Sequence, residues 1–262
     1  MLKRLFFLLL LFPAGAVAQS DFCGVTNNAF QDGEKLNFKV WYKMGRLWVG
    51  AGQASFTVAD ATMQNRKAFH IVGDGRTLKS YEWFYKVRDR YETYIDKETL
   101  LPLKFIRNVN EGGYRIYNNV TFNHRVNQAL STNGVFTIPD CTQDVLSAIF
   151  YARNIDYSRY QPGAKIPFNM FLDDQVYNLH IRYLGKQRIS TRYGTFNAIK
   201  ISPMLIEGTI FKGGEKMAVW VSDDANRVPL RIESPILVGD IIVDLMGYSQ
   251  LKHPLSALIK KK

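Results

Sequence analysis

Two adjacent carboxylates, Asp223 and Asp224, lie in the stretch MAVWVSDDANRVPLRIES, behind Trp220 and ahead of Arg227 and Arg231. Such a pair could hold a metal, act as acid and base, or form the polar tip of a hairpin. Neighbouring side chains at a hairpin tip diverge, which suits neither shared coordination nor acid/base work. Asp and Ser side chains bond their own backbone in turns, and Pro229 is placed to start the returning strand. The turn reading is therefore the one taken.

Other chemistry has little to draw on. His70, His124, His180 and His253 are dispersed, without the close His or Cys spacing of a metal site. Asp173-Asp174 lacks the alternating ligand series of a calcium loop. There is no Gly-x-Ser-x-Gly elbow, and Ser147 falls on an amphipathic segment rather than a sharp strand–helix turn. Glu82, Glu92, Glu111 and Glu207 could meet in space as a glycosidase pair, a geometry only a structure reveals. No catalytic residue, metal or cofactor is assigned, and the chain is read as a non-enzyme.

The aromatic side chains are the remaining resource, with 14 Tyr, 17 Phe and 4 Trp. Tyr81, Trp83, Phe84, Phe150 and Tyr151 cluster on or near the helical segments and are the candidates to line an apolar ligand site. Their ordinary use would be core packing.

The elements that must position these residues alternate with period two. Leu36, Phe38, Val40 and Tyr42 share one side of a strand whose other side is Lys35, Asn37, Lys39 and Trp41. Similar runs recur near 48–58, 67–73, 90–96, 102–108, 114–122, 165–171, 176–184, 196–202, 205–211, 216–222, 229–234 and 240–248. Turn signals such as Gly112-Gly113, Asp173-Asp174 and Gly213-Gly214 separate them, and together they predict an all-β antiparallel protein. One helix is predicted near 141–153, capped by Asp140 with Gln143 in capping-box position. A weaker helical segment covers 78–86.

Two signatures repeat. GEKLNFKV from Gly33 matches GAKIPFNM from Gly163, and YIDKETLLPLKFI from Tyr94 matches WVSDDANRVPLRI from Trp220. Gly33 to Pro102 is 69 positions and Gly163 to Pro229 is 66. Halves at about 33–107 and 163–234 thus read as two repeated β-meanders forming one strongly curved sheet or incomplete barrel. The helix between them is free to cover its concave face.

The N-terminus reads as an export signal. Lys3 and Arg4 precede the apolar run 5–12, and Ala16-Val17-Ala18 supplies the small residues of a cleavage site. Removal of residues 1–18 leaves one β-rich domain, 19–262, and lowers the formal charge from +11 to +9. An exported chain meets little nucleic acid. Its basic balance instead suits an anionic membrane or envelope polymer. Cys23 and Cys141 are read as a disulfide rather than two buried thiols, because export makes unpaired thiols a liability.

The segments GEKLNFKVWYKMGRLWVGAGQASFTV, TQDVLSAIFYARN, YGTFNAIKI and VWVSDDANRVPLRI resemble, in that order, a family of bacterial exported proteins known as domain of unknown function 3108. The resemblance runs from about Phe30 to Tyr248 and carries no catalytic residues. The aromatic-turn-Pro hairpin is more distantly similar to the lipoprotein-carrier half-barrel fold, which implies acyl chains held against a concave sheet. The resulting expectation is a soluble protein, periplasmic or extracellular, that binds a lipid or other hydrophobic ligand. The rivals are a structural or protein-interaction module of the envelope and a polysaccharide-acting hydrolase.

Overall fold

A computed structural model describes residues 22–83, 85–206, 213–236 and 238–262. The expected signal segment, Phe84, Glu207 and most of the strand expected at 205–211 lie outside those residues. The first meander comprises β1 (Lys35–Met44), β2 (Leu47–Met63), β3 (Arg66–Thr77), β4 (Arg88–Asp96), β5 (Pro102–Glu111), β6 (Tyr114–Asn123), β7 (Gln128–Ser131) and β8 (Gly134–Thr137). After the helix α1 (Val145–Ala152) come β9 (Lys165–Leu172), β10 (Gln175–Ser190), β11 (Gly194–Pro203), β12 (Ala218–Ser222), β13 (Pro229–Pro235), β14 (Asp240–Ser249) and β15 (Leu258–Lys261). All join one antiparallel sheet in the order β8 to β1, then β14 down to β9, with β15 added beside β11. The two meanders meet through β1 and β14, where Leu36 lies opposite Tyr248 and Val40 opposite Val243.

The sheet curls without closing. Helix α1 contacts both β4 and β9, which are far apart in the strand order, so the two arms must face each other. Edge to edge, Phe171 of β9 packs on Phe122 of β6 and Phe136 of β8, and Arg107 of β5 pairs with Asp173. Before the helix, Gln143 bonds the β9 backbone at Asn169 and Phe171. This is an incomplete barrel with α1 inside the curl.

The two halves share local geometry. Gly33 and Gly163 both hold positive φ, at 79° and 97°, and donate to Val58 O and Tyr183 O respectively. A residue with a Cβ would be strained at either position. In both hairpins the register shifts just before the turn, so that Ile95 faces Pro102 and Val221 faces Pro229. Two residues before each proline, Leu100 and Arg227 take positive φ.

The helix differs from expectation in its start. Asp144, not Asp140, is the N-cap: its carboxylate accepts from Leu146 N and Ser147 N, and the Ser147 hydroxyl accepts from Asp144 N. Positive φ at Cys141 and the strand-like pairing of Gln143 keep residues 141–143 out of the helix. Asp140 instead accepts from Asn127. Among the described residues of the segment 78–86 a single 3-10 turn forms, Lys79–Tyr81.

Asp144 is buried and also accepts from Thr93 Oγ1 at 2.6 Å. Burial pushes its carboxyl up to about 6, against the four hydrogen bonds that hold it down. An acid whose folded value is raised contributes stability below its unfolded value, near 3.8, and loses it as pH rises through 6. The neutral D144N variant keeps an acceptor for the helix N–H groups and does not titrate. Between pH 3 and 7 the wild-type protein is expected to lose about 3 kcal/mol relative to D144N. Denaturant unfolding of both proteins across that range checks it, and parallel pH profiles would refute it.

Candidate functional site

The expected ligand-lining residues divide into two groups. Phe150 and Tyr151 are fully buried and pack against the chain itself. Phe150 meets Phe30 and Phe56 edge-on, while Tyr151 stacks on Phe22, which in turn stacks on Phe168 of β9. The N-terminal segment, with Phe22 and Phe30, therefore fills the curl together with α1, and these two aromatics present no surface to a ligand. Phe22 and Phe30 precede the first strand and belong to no periodic run, so no local pattern marks them as core. The disulfide Cys23–Cys141 ties that segment to the approach to α1.

Tyr81 and Trp83 are exposed on the β3–β4 connection, Trp83 by 83%. There they stand beside Tyr85, whose ring abuts Gly112, and beside the Arg88–Glu82 ion pair. The structure does not place Tyr81 and Trp83 in the packing around Phe150 and Tyr151. A polar groove elsewhere on the sheet is separate from them.

That feature is on the other face of the first meander. Gly73 and Phe56 point toward α1, since a Cβ on Gly73 would meet Phe56 and Leu146. By strand alternation their neighbours Asp74 and Ser55 point away. Register then places Asn37, Ser55, Asp74, Arg90 and Asn108 side by side across β1 to β5. A second row, two residues along, carries Lys39, Gln53, Arg76 and Arg88. Lys35 lies two residues from Asn37 in the opposite direction. Apart from Lys39, these rows line a groove of about 720 Å³, with Lys35, Arg76, Arg88, Arg90, Asp74 and Asp89 as its charged residues.

The carboxylates here are engaged. Asp74 pairs with Arg90 at 3.1 Å, and Asp89 accepts from Asn110 N. Beyond the groove, Glu92 bridges Arg90 and His70, whose ring stacks on Tyr94. Two of the cations keep their charge available: Lys35 and Arg76 have no carboxylate partner among the described residues. Tyr117, exposed and directly opposite Asn108, extends the face. Chemically, the arrangement offers cations, amides and aromatic surfaces in a row, suited to holding hydroxyl and anionic groups along an extended ligand.

Asp223 and Asp224 do turn chemistry. Asp224 Oδ1 accepts from Ser222 Oγ, Asn226 N and Arg227 N, and its Oδ2 accepts from Ala257 N. Asp223 turns the other way, to Lys186. A separate ionic cluster anchors the return of the segment after β11. There Glu215 is held down to about 2 by hydrogen bonds from Arg182 and then His180. Among the described residues no three His, Cys, Asp or Glu side chains come together as a metal site. No helix among them is long and apolar enough to cross a membrane.

Comparison with solved structures gives a likeness of fold. A β-barrel-like protein of domain of unknown function DUF1849, from Brucella abortus, aligns with 84% of this chain and 99% of its own at 7% identity and a TM-score of 0.54. Two further structures align at 11% and 12% identity, with TM-scores of 0.35 and 0.36. One is a protein from Bacteroides fragilis described as exported, with a YmcC-like fold, and covers 86% of this chain and 100% of its own. The other, described as a lipoprotein from Parabacteroides distasonis, covers 86% of this chain and 99% of its own. No curated protein matches the chain. Residues 37–246 match the family described as protein of unknown function DUF3108, and the chain belongs to that family.

Proposed function

We propose that this chain is an exported envelope protein that binds rather than catalyses, and that its ligand is an anionic, hydroxyl-rich polymer held in the groove across β1 to β5. The observation that carries the reading is the groove itself, where Lys35 and Arg76 have no carboxylate partner among the described residues and Arg76 donates to the Gln53 amide oxygen. Exposed Tyr117, opposite Asn108, adds a face on which a sugar ring can lie. Export is supported by the disulfide, since such bonds persist in oxidising compartments. A lipid site would draw on Tyr81, Trp83, Phe84, Phe150 and Tyr151, and the last two lie inside the curl. Phe150 and Tyr151 are consumed there in packing, and the groove outside is polar, so the polymer is favoured. Against hydrolysis, Asp74 and Asp89 are both tied up in the frame of the groove.

The test is retention on immobilised polygalacturonate, with neutral dextran as control. Retention is expected at about 50 mM salt and should fall as salt screens the cations. The K35A/R76A variant removes two surface cations with little cost in stability, and should bind about tenfold or more weakly. Equal retention of wild type and variant, or equal binding to dextran, would refute the assignment.

A further inference from the structure

The hairpin ends at the far end of β1 form a second exposed surface. Met44 and Leu47 face each other across the β1–β2 turn, and Lys43 faces Trp48. The β13–β14 turn lies alongside: Tyr42 Oη donates to Val238 O at 3.0 Å, and Asp240 is the partner of Lys43 across the ladder. Gly239 fits against Lys43 O so closely that a Cβ there would lie 2.4 Å from it. The side chains at this rim are apolar and uncovered, with Met44 48%, Leu47 54%, Trp48 38% and Val238 62% exposed.

Cations surround them. The Lys43 ammonium lies over the Trp48 ring at 5.6 Å, and Arg46 occupies the turn itself. From the β10–β11 turn, Arg192 reaches across to cover Trp41 at 3.9 Å and Trp48 at 5.7 Å, and Lys39 sits over Trp41 at 4.3 Å. Asp240 is the carboxylate facing this group across the ladder. Apolar side chains at a tip, tryptophan at the level of a ring of Lys and Arg, and an overall excess of positive charge are complementary to one surface above others. That surface is a bilayer with anionic headgroups, where the apolar tip enters the acyl boundary and the cations meet phosphates.

We propose that the β1–β2 and β13–β14 ends are a membrane-docking edge, inserting Met44, Leu47, Trp48 and Val238 into an anionic bilayer. The docked protein holds its polymer groove free, because the groove lies on the opposite half of β1 and β2, at Lys35, Asn37, Gln53 and Ser55.

Co-sedimentation with vesicles tests this. The protein is expected to bind phosphatidylcholine vesicles containing about one quarter phosphatidylglycerol, and to bind pure phosphatidylcholine at least tenfold more weakly, with the difference falling as salt rises. L47S/W48S should weaken binding about tenfold under conditions where denaturant unfolding shows the variant to be folded. K43A/R46A should reduce binding to the charged vesicles alone. The groove variant K35A/R76A should retain most of its vesicle binding, which separates this proposal from the polymer assignment. Equal vesicle binding by L47S/W48S and wild type would overturn it. So would failure to bind any vesicle, or a concentration-dependent dimer that L47S/W48S abolishes without affecting vesicles.

Discussion

Replacing Cys23 and Cys141 with serine is expected to lower the unfolding free energy by about 5 kcal/mol, the largest effect of any paired substitution considered. The bridge joins residues 118 positions apart, and in the chain-entropy treatment a closed loop of that length costs the unfolded ensemble this much freedom. For a chain of this size the melting temperature should fall by on the order of 10–20 °C. The loss should also be local. Phe22, next to Cys23, stacks on Tyr151 of α1 and Phe168 of β9, so the untethered segment leaves the curl partly unfilled. Amide exchange in residues 22–30 and along α1 is expected to rise more than exchange in β2 and β3. The comparison needs the serine variant and the reduced wild-type protein, and a loss below about 1 kcal/mol in both would contradict the account.

This bridge also shows what the sequence makes legible. Alternation along Leu36, Phe38 and Val40 exposes β1, and the Pro102 and Pro229 hairpins expose the two meanders, because each signal is local. The strands β7, β8 and β15 carry four residues each, too few for a period to emerge from their turns. Asp140 and Asp144 are both followed three residues later by a side chain able to complete a capping box. Only the pairing of Gln143 with β9, a contact distant in sequence, decides between them. The groove is hidden for a related reason. Lys35, Asn37 and Lys39 are visibly the polar side of β1. That they share a face with Arg76 and Arg90 depends on the register of three successive strand pairs. The aromatics misled because burial and display use the same residue types: Phe150 is core, and Trp83 is surface.

Substituting Arg153 is expected to cost about 3–5 kcal/mol, the usual penalty for breaking a buried ion pair from one side. Arg153 follows the last residue of α1, a position where a cation is ordinarily solvated and favours the helix dipole. In the structure it is enclosed. Its guanidinium bonds both oxygens of Glu34, at 2.6 and 3.0 Å, and donates to Ala29 O and Asn226 O. The rings of Phe30 and Phe150 lie against it at 5.5 and 5.1 Å. One side chain thus joins the N-terminal segment, the entry to β1, the end of α1 and the β12–β13 turn. R153M would leave the Glu34 carboxylate buried without a counter-charge, and would strip two backbone carbonyls of a donor. E34L should be destabilising too, by leaving the cation buried without its counter-charge. The double variant E34L/R153M removes both charges and fills the space with apolar atoms, so it should recover much of the loss. Guanidinium unfolding of the four proteins gives the coupling energy directly. If R153M alone loses less than about 1 kcal/mol, or the double variant simply sums the two losses, the pair does not hold the plug in the curl. If the coupling is large, the filled interior is a braced framework, with recognition left to its polar face and its exposed edge.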